Sequence, residues 1–209
     1  MNHRRIGYCW VFFLLPLLAG ATEKSYNPAP GTVEPVPYGN LDHWITRIIK
    51  ESAILGGETK TLYEIGPEQT IEGGKAYTKN EHSPWATSSV MANVMGIIKT
   101  SCSVFPEKRG DGYCVRLETR TERCKVLGMF NITVVAPGTI FVGEVDEPVR
   151  NTKNPLSKLM MGIPFVHRPQ VLLFDYKTLP ATQLVKATGF GKPENLPGRD
   201  SAEVCLYLQ

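Results

Sequence analysis

Gly162-Ile-Pro-Phe-Val-His-Arg-Pro169, followed by Gln170-Val-Leu-Leu-Phe-Asp-Tyr-Lys177, is the stretch on which the reading of this chain turns. Its second half is apolar and aromatic and opens directly after Pro169, so it reads as a core strand from Gln170 to Tyr176. Its first half carries Pro164 and Pro169 and is read as a stiff, extended approach to that strand. Arg168 precedes a proline and is biased toward extended backbone, which limits the directions its guanidinium can take. It is read either as a pin on a neighbouring carbonyl or carboxylate, or as a contact to a ligand.

Three further pieces point the same way: Gly39-Asn-Leu-Asp-His-Trp44, Ser83-Pro-Trp-Ala-Thr87, and Pro106 through Thr119. With Gly162–Lys177 they resemble the bacterial Putative carbohydrate metabolism domain over roughly residues 38 to 209. The resemblance implies an antiparallel jelly-roll β-sandwich, galactose-binding-like and similar to carbohydrate-binding modules, in proteins exported by Gram-negative bacteria to the periplasm or outer-membrane surface. It implies no reaction and no catalytic residues.

Read in order, Met1 to Ala21 is a secretory signal: Arg4 and Arg5, an apolar run of about 13 residues, then Ala19-Gly20-Ala21. The run falls short of the ~20 residues a spanning helix needs. The mature chain is expected to begin at Thr22 without a transmembrane segment. Pro28, Pro30, Pro35 and Pro37 make residues 22–37 an extended spacer, and the β-sandwich domain follows over 38–209. Val204 to Leu208 starts a strand with no closing turn, which reads as a domain continuing beyond the chain.

Within the domain, Leu41, Trp44, Ile45, Ile48 and Ile49 fall at helical spacing, but Thr46, Ile48 and Ile49 are β-branched. The resemblance places the opening strand here, and the segment Gly39–Ser52 is read as strand. Thr59–Ile65, one or two strands within Val90–Phe105, and Tyr113–Thr119 follow, the last with Tyr113, Val115 and Leu117 facing inward. Lys125–Val135 and Thr139–Val145 are predicted to form a hairpin about Pro137-Gly138. Leu184–Thr188 is a short edge strand, and Gly189–Asp200 a loop.

Losing Arg4 and Arg5 lowers Lys plus Arg from 23 to 21, almost balanced by 20 Asp and Glu, so nothing suggests a nucleic-acid or membrane-surface partner. Of five cysteines Cys9 lies in the signal, leaving Cys102, Cys114, Cys124 and Cys205, which three connectivities could pair. Free, partly buried thiols are expected; the bond considered is Cys102 to Cys114, closing a loop of ~13 residues across the Lys108–Gly112 turn. No metal spacing, nucleophile elbow or phosphate loop occurs, and no cofactor is expected. Arg109-Gly110-Asp111 and Asn131-Ile132-Thr133 are read as a turn and a strand segment, not as adhesive or glycosylation signals.

Function concentrates in residues 66–88, a long loop broken by Gly73-Gly74, Asn80, Ser83 and Pro84. Tyr77, His82 and Trp85 supply aromatic surface there, with Asn80 and Glu81 as polar partners, and Arg168 joins them from outside. Sugars have apolar ring faces and many hydroxyls, so such a set suits a polysaccharide or oligosaccharide. A non-catalytic glycan-binding module leads. The alternatives are a glycoside hydrolase using two of Glu64, Glu81, Asp111, Glu118 and Asp175, and a structural or adhesive surface component.

Overall fold

Strand β1, Trp44–Lys50, alternates buried and less buried positions, with Ile45, Arg47 and Ile49 on one face at 0–1% exposure. It pairs antiparallel with β2, Thr59–Ile65, from Trp44↔Ile65 to Lys50↔Thr59, and parallel with β3, Gln69–Glu72. β1 is therefore the centre of a three-stranded sheet. The β-branched residues win over the helical spacing because each of their side chains packs on a pleated, two-sided surface. The computed structural model describes residues 33–78, 82–126, 130–150, 155–166, 169–187, 189–190 and 192–208. The signal read at 1–21, most of the spacer and Arg168 lie outside them.

The remaining elements are β4 (Trp85–Thr87), the hairpin β5–β6 (Val90–Val94, Ile97–Ser101) and the hairpin β7–β8 (Val104–Arg109, Gly112–Leu117). After them come β9 (Arg120–Val126), β10 (Phe130–Ala136), β11 (Ile140–Val145) and β12 (Leu159–Met161). Three short strands close the described chain: β13 (Leu184–Lys186), β14 (Gly189–Phe190) and β15 (Glu194–Leu196). β11 lies between β4 and β12, β10 between β9 and β14, and β13 pairs β15. The class is all-β and, β1–β3 apart, these ladders are antiparallel.

Two apolar clusters hold the β1–β8 region. Trp44, Ile65 and Val104 gather Tyr38, Leu41, Tyr63, Trp85, Tyr113, Val115 and Ile140, while Ile49, Leu62 and Met91 gather Ile98 and Cys102. Trp44 is thus core. Its indole N–H donates to the Leu41 carbonyl at 2.9 Å, which satisfies the one polar atom of the ring.

Several expectations are overturned. Gln170–Tyr176 forms no strand, and Val171, Leu172, Leu173, Phe174 and Tyr176 are 43–76% exposed. An apolar run makes a strand only where another strand accepts its backbone hydrogen bonds, and no ladder among the described residues includes this one. Val204–Leu208 likewise forms no strand, and its apolar side chains are exposed. The β10–β11 hairpin does not exist: β10 pairs β9 instead, while β11 pairs β4 and β12. A Cβ on Gly138 would lie 2.4 Å from the Glu118 nitrogen and 2.5 Å from the Ser103 carbonyl. The chain there presses on neighbouring backbone instead of turning back on itself. Leu117 is exposed, the 66–88 loop contains β3 and β4, and the loop after Gly189 contains β14 and β15. Pro35–Pro37, read as spacer, belong to the compact unit that starts at Pro35.

The Cys102–Cys114 bond is also absent, and both thiols are free. Cys114 faces Glu107, whereas Cys102 lies before the hairpin begins at Val104. With ~3.4 Å of rise per residue, that offset exceeds the Cα separation a disulfide spans. The Cys102 thiol instead donates to the Thr61 carbonyl at 2.6 Å, and burial pushes its pKa up to about 11.

The turn after β7 has a tertiary duty. Asp42 Oδ1 accepts the Tyr113 N–H at 2.7 Å, and a Cβ on Gly112 would lie 2.2 Å from that same oxygen. Gly112→Ala must therefore displace the Asp42 carboxylate, at a cost of about 1–3 kcal/mol. We expect Gly112→Ala and Asp42→Ala each to lower the melting temperature, and the double variant to fall no further than the worse single one. Additive losses in thermal melts would show that the two residues act independently.

Candidate functional site

β1 and β2 bring an unusual pair to the buried face. Arg47 follows Ile45 by two positions and Glu64 follows Leu62 by two, so strand alternation turns both charged side chains inward; the register Ile45↔Glu64 and Arg47↔Leu62 makes them diagonal neighbours. Arg47 is 1% exposed and Glu64 4%. Arg47 Nη1 donates to Glu64 Oε1 at 3.1 Å, and to Glu147 Oε1 at 3.1 Å, while Nη2 donates to Glu147 Oε2 at 2.5 Å.

Glu147 arrives just after β11 and is held from three sides. Beyond Arg47, it accepts the Tyr77 N–H at 3.0 Å and the Met91 N–H at 2.9 Å. Val149 N–H to the Met91 carbonyl and Asn93 N–H to the Val149 carbonyl, both 3.0 Å, lock the segment along β5. The Tyr77 ring lies over the Arg47 guanidinium at 5.0 Å, a cation–π cover for the buried charge.

Burial pushes the Glu64 carboxyl up to about 8, against the lowering pull of Arg47 and of the Thr87 hydrogen bond. At neutral pH the 3.1 Å contact to Arg47 is then a hydrogen bond onto a neutral carboxyl, and the ion pair is Arg47 with Glu147. Thr87 Oγ1 donates to Glu64 Oε2 at 2.9 Å and also lies 3.4 Å from the Tyr63 carbonyl. Within the cluster of Arg47, Glu64 and Glu147 the charge count closes at one cation and one anion, the arrangement burial tolerates best.

Tyr77 and Trp85 line one crevice together with Glu64, Thr87, Glu144 and Glu147. Its volume is about 10 Å³, at the lower limit for one water molecule and far below a sugar ring. Thus two of the four anticipated residues meet, while His82 is exposed and outside the crevice and Arg168 is outside the described residues. Trp85 is half-buried against the Trp44 cluster, and its indole N–H donates to the Pro37 carbonyl at 2.9 Å. We therefore expect Trp85→Ala to destabilise, toward the lower end of the ~3–5 kcal/mol typical of Trp truncation. A melting temperature unchanged from wild type would return Trp85 to the role of exposed platform.

Arg47 and Glu147 escape sequence reading. The available signal for Arg47 was a cation at an inward position between Ile45 and Ile49; for Glu147 there was none, because its partner is 100 residues away. Among the described residues no group of three His, Cys, Asp or Glu side chains could hold a metal ion, and no helix is long and apolar enough to cross a membrane.

The model of one family, described as Putative carbohydrate metabolism domain, matches residues 56–208. The chain belongs to that family. The match takes in Glu64, Tyr77, Trp85 and Glu147 but starts after Gly39–Trp44, so that piece of the resemblance falls outside it. No curated protein and no solved structure matches the chain.

Proposed function

We propose that this member of the Putative carbohydrate metabolism domain family is an exported, non-catalytic glycan-binding protein. The observation that carries the non-catalytic part is the state of the carboxylates. Glu64 is locked between Arg47 and Thr87 beside a crevice of about 10 Å³. Glu118 is paired with Arg116 and Arg120. Asp111 sits at an exposed turn, Asp175 lies in the exposed apolar run, and Glu81 falls outside the described residues. Hydrolysis needs two carboxylates flanking a bound sugar, with room for a water or a covalent intermediate between them. The described candidates offer no such gap.

One observation favours the hydrolase as a second reading: a carboxyl raised to about 8 next to two aromatic residues and Glu144 is the environment of a general acid. Electrophoresis of the purified protein through gels containing polysaccharide, alongside an assay for new reducing ends, separates the two. Retardation without sugar release is expected. Release that disappears in Glu64→Gln would replace binding by hydrolysis, and neither effect would favour the structural or adhesive reading.

A further inference from the structure

Among its described residues the 66–88 loop gives no space for a sugar, but the chain has a second concavity that does. Pro35, Val36, Pro37, Tyr38, Asn40 and His43 line a groove of about 370 Å³, within the usual range of small-molecule sites. We propose that this groove is a binding site for a neutral oligosaccharide chain. The assignment rests on the glycan-binding reading above and names its site.

The lining chemistry selects the ligand. Tyr38 and His43 stand edge to face at 6.1 Å, and with two pyrrolidine rings they present flat apolar surfaces of the kind that sugar C–H faces cover. Among the described residues no Lys, Arg, Asp or Glu lines the groove, which disfavours a charged ligand. Hydroxyl-binding capacity is nonetheless present. Asn40 spends one amide N–H on Asp42 Oδ2 at 3.0 Å, which fixes the amide while its carbonyl oxygen and second N–H remain for a ligand. His43 Nδ1 is 3.6 Å from Glu68 Oε1, which leaves Nε2 for the groove.

The groove is also built to keep its shape. Tyr38 and Leu41 have φ of 55° and 62°, a left-handed conformation that costs non-glycine residues about 1–3 kcal/mol each. It persists because the turn is tied at each end. Gly39 N–H donates to the Val36 carbonyl at 2.8 Å, and Leu41 N–H to the Tyr38 carbonyl at 3.1 Å. Trp44 caps Leu41, Trp85 caps Pro37, and Asp42 docks on β8 through Tyr113. A surface turn strained in this way and fastened to the core Trp44 and to Trp85 packed against it is preorganised, so a ligand need not pay to order it.

The test uses the full chain in gels containing amylopectin, xylan or galactomannan as neutral probes and polygalacturonate as the anionic one. Asn40→Ala and His43→Ala alter exposed side chains and should leave thermal melts unchanged. We expect wild type to be retarded by at least one neutral polysaccharide, each variant to lose about tenfold in affinity for it, and Lys186→Ala, exposed on β13 and outside the groove lining, to lose none. If wild type binds and both groove variants bind equally well, the groove assignment is wrong and the glycan reading stands. If polygalacturonate alone retards the protein, the ligand class is wrong. If wild type binds no probe, the glycan reading itself fails and the assignment goes with it.

Discussion

Glu147→Ala is expected to destabilise the fold by at least about 3–5 kcal/mol, because it leaves Arg47 charged inside the protein without its ionic partner. Arg47 is 1% exposed, and its other partner, Glu64, is pushed up to about 8 and is a neutral acid at pH 7. The same change strands the Tyr77 and Met91 N–H groups, each of which adds to the loss. Against a total stability of about 5–15 kcal/mol for a domain, this is enough to leave a sizeable unfolded population. Arg47→Met should be milder than Glu147→Ala, since it leaves Glu147 with its two backbone donors, Tyr77 and Met91, whereas Glu147→Ala removes the acceptor of both N–H groups as well as the counter-charge. Urea unfolding of both variants measures the difference. A Glu147→Ala protein within about 1 kcal/mol of wild type would mean that Glu64, 3.1 Å from Arg47, ionises and takes over as counter-charge, or that water reaches Arg47.

A loss of stability on going from pH 5 to pH 8 is the second large expected effect. Glu64 has an ordinary value of 4.5 and a folded-state value of about 8, so between them the folded protein holds a proton that the unfolded chain has released. Its contribution is complete below about pH 4.5 and declines as pH rises toward 8, with a slope of up to about 1.4 kcal/mol per pH unit. Glu51 acts in the opposite direction. Burial pushes it up, but hydrogen bonds from Thr100 and Lys99 outweigh burial and hold it below the usual carboxylate range, so its contribution fades only as pH falls through acid values. Together they place the most stable pH on the acid side of neutrality. Glu64→Gln keeps the shape and cannot ionise, and its unfolding free energy should be nearly flat from pH 5 to 8 where wild type declines. Parallel curves for the two proteins would show that Glu64 is ionised in the native state.

The two effects share a cause that sequence patterns register only weakly. Period-two alternation locates Thr59–Ile65 as a strand and turns Leu62 and Glu64 the same way, yet Glu64 reads equally well as a surface carboxylate or half of a catalytic pair. Only the diagonal register with β1 delivers the Arg47 guanidinium to it, and only the return of the chain at Glu147 completes the charge balance. The aromatic loop behaves similarly. Tyr77 and Trp85 do come together, but they close over a buried ion pair and a core cluster, respectively, and what looks in sequence like a sugar platform is largely spent on the interior.

By itself the sequence determined the all-β class, a strand within Gly39–Ser52, the strand Thr59–Ile65, the turn between β7 and β8, and family membership. Thr59–Ile65 and the turn rest on local features, alternation and glycines where the chain must turn, whereas the class and the opening strand come from the family resemblance. Tertiary structure alone decided the partners of β10 and β11, the exposure of Val171–Phe174, the free thiols at Cys102 and Cys114, and the groove at Tyr38–His43. The physical reason is that propensity and pattern bias one residue's backbone or face at a time. A ladder, an ion pair or a groove forms only where distant segments meet in one register, as Arg47 and Glu147 do across 100 residues of chain.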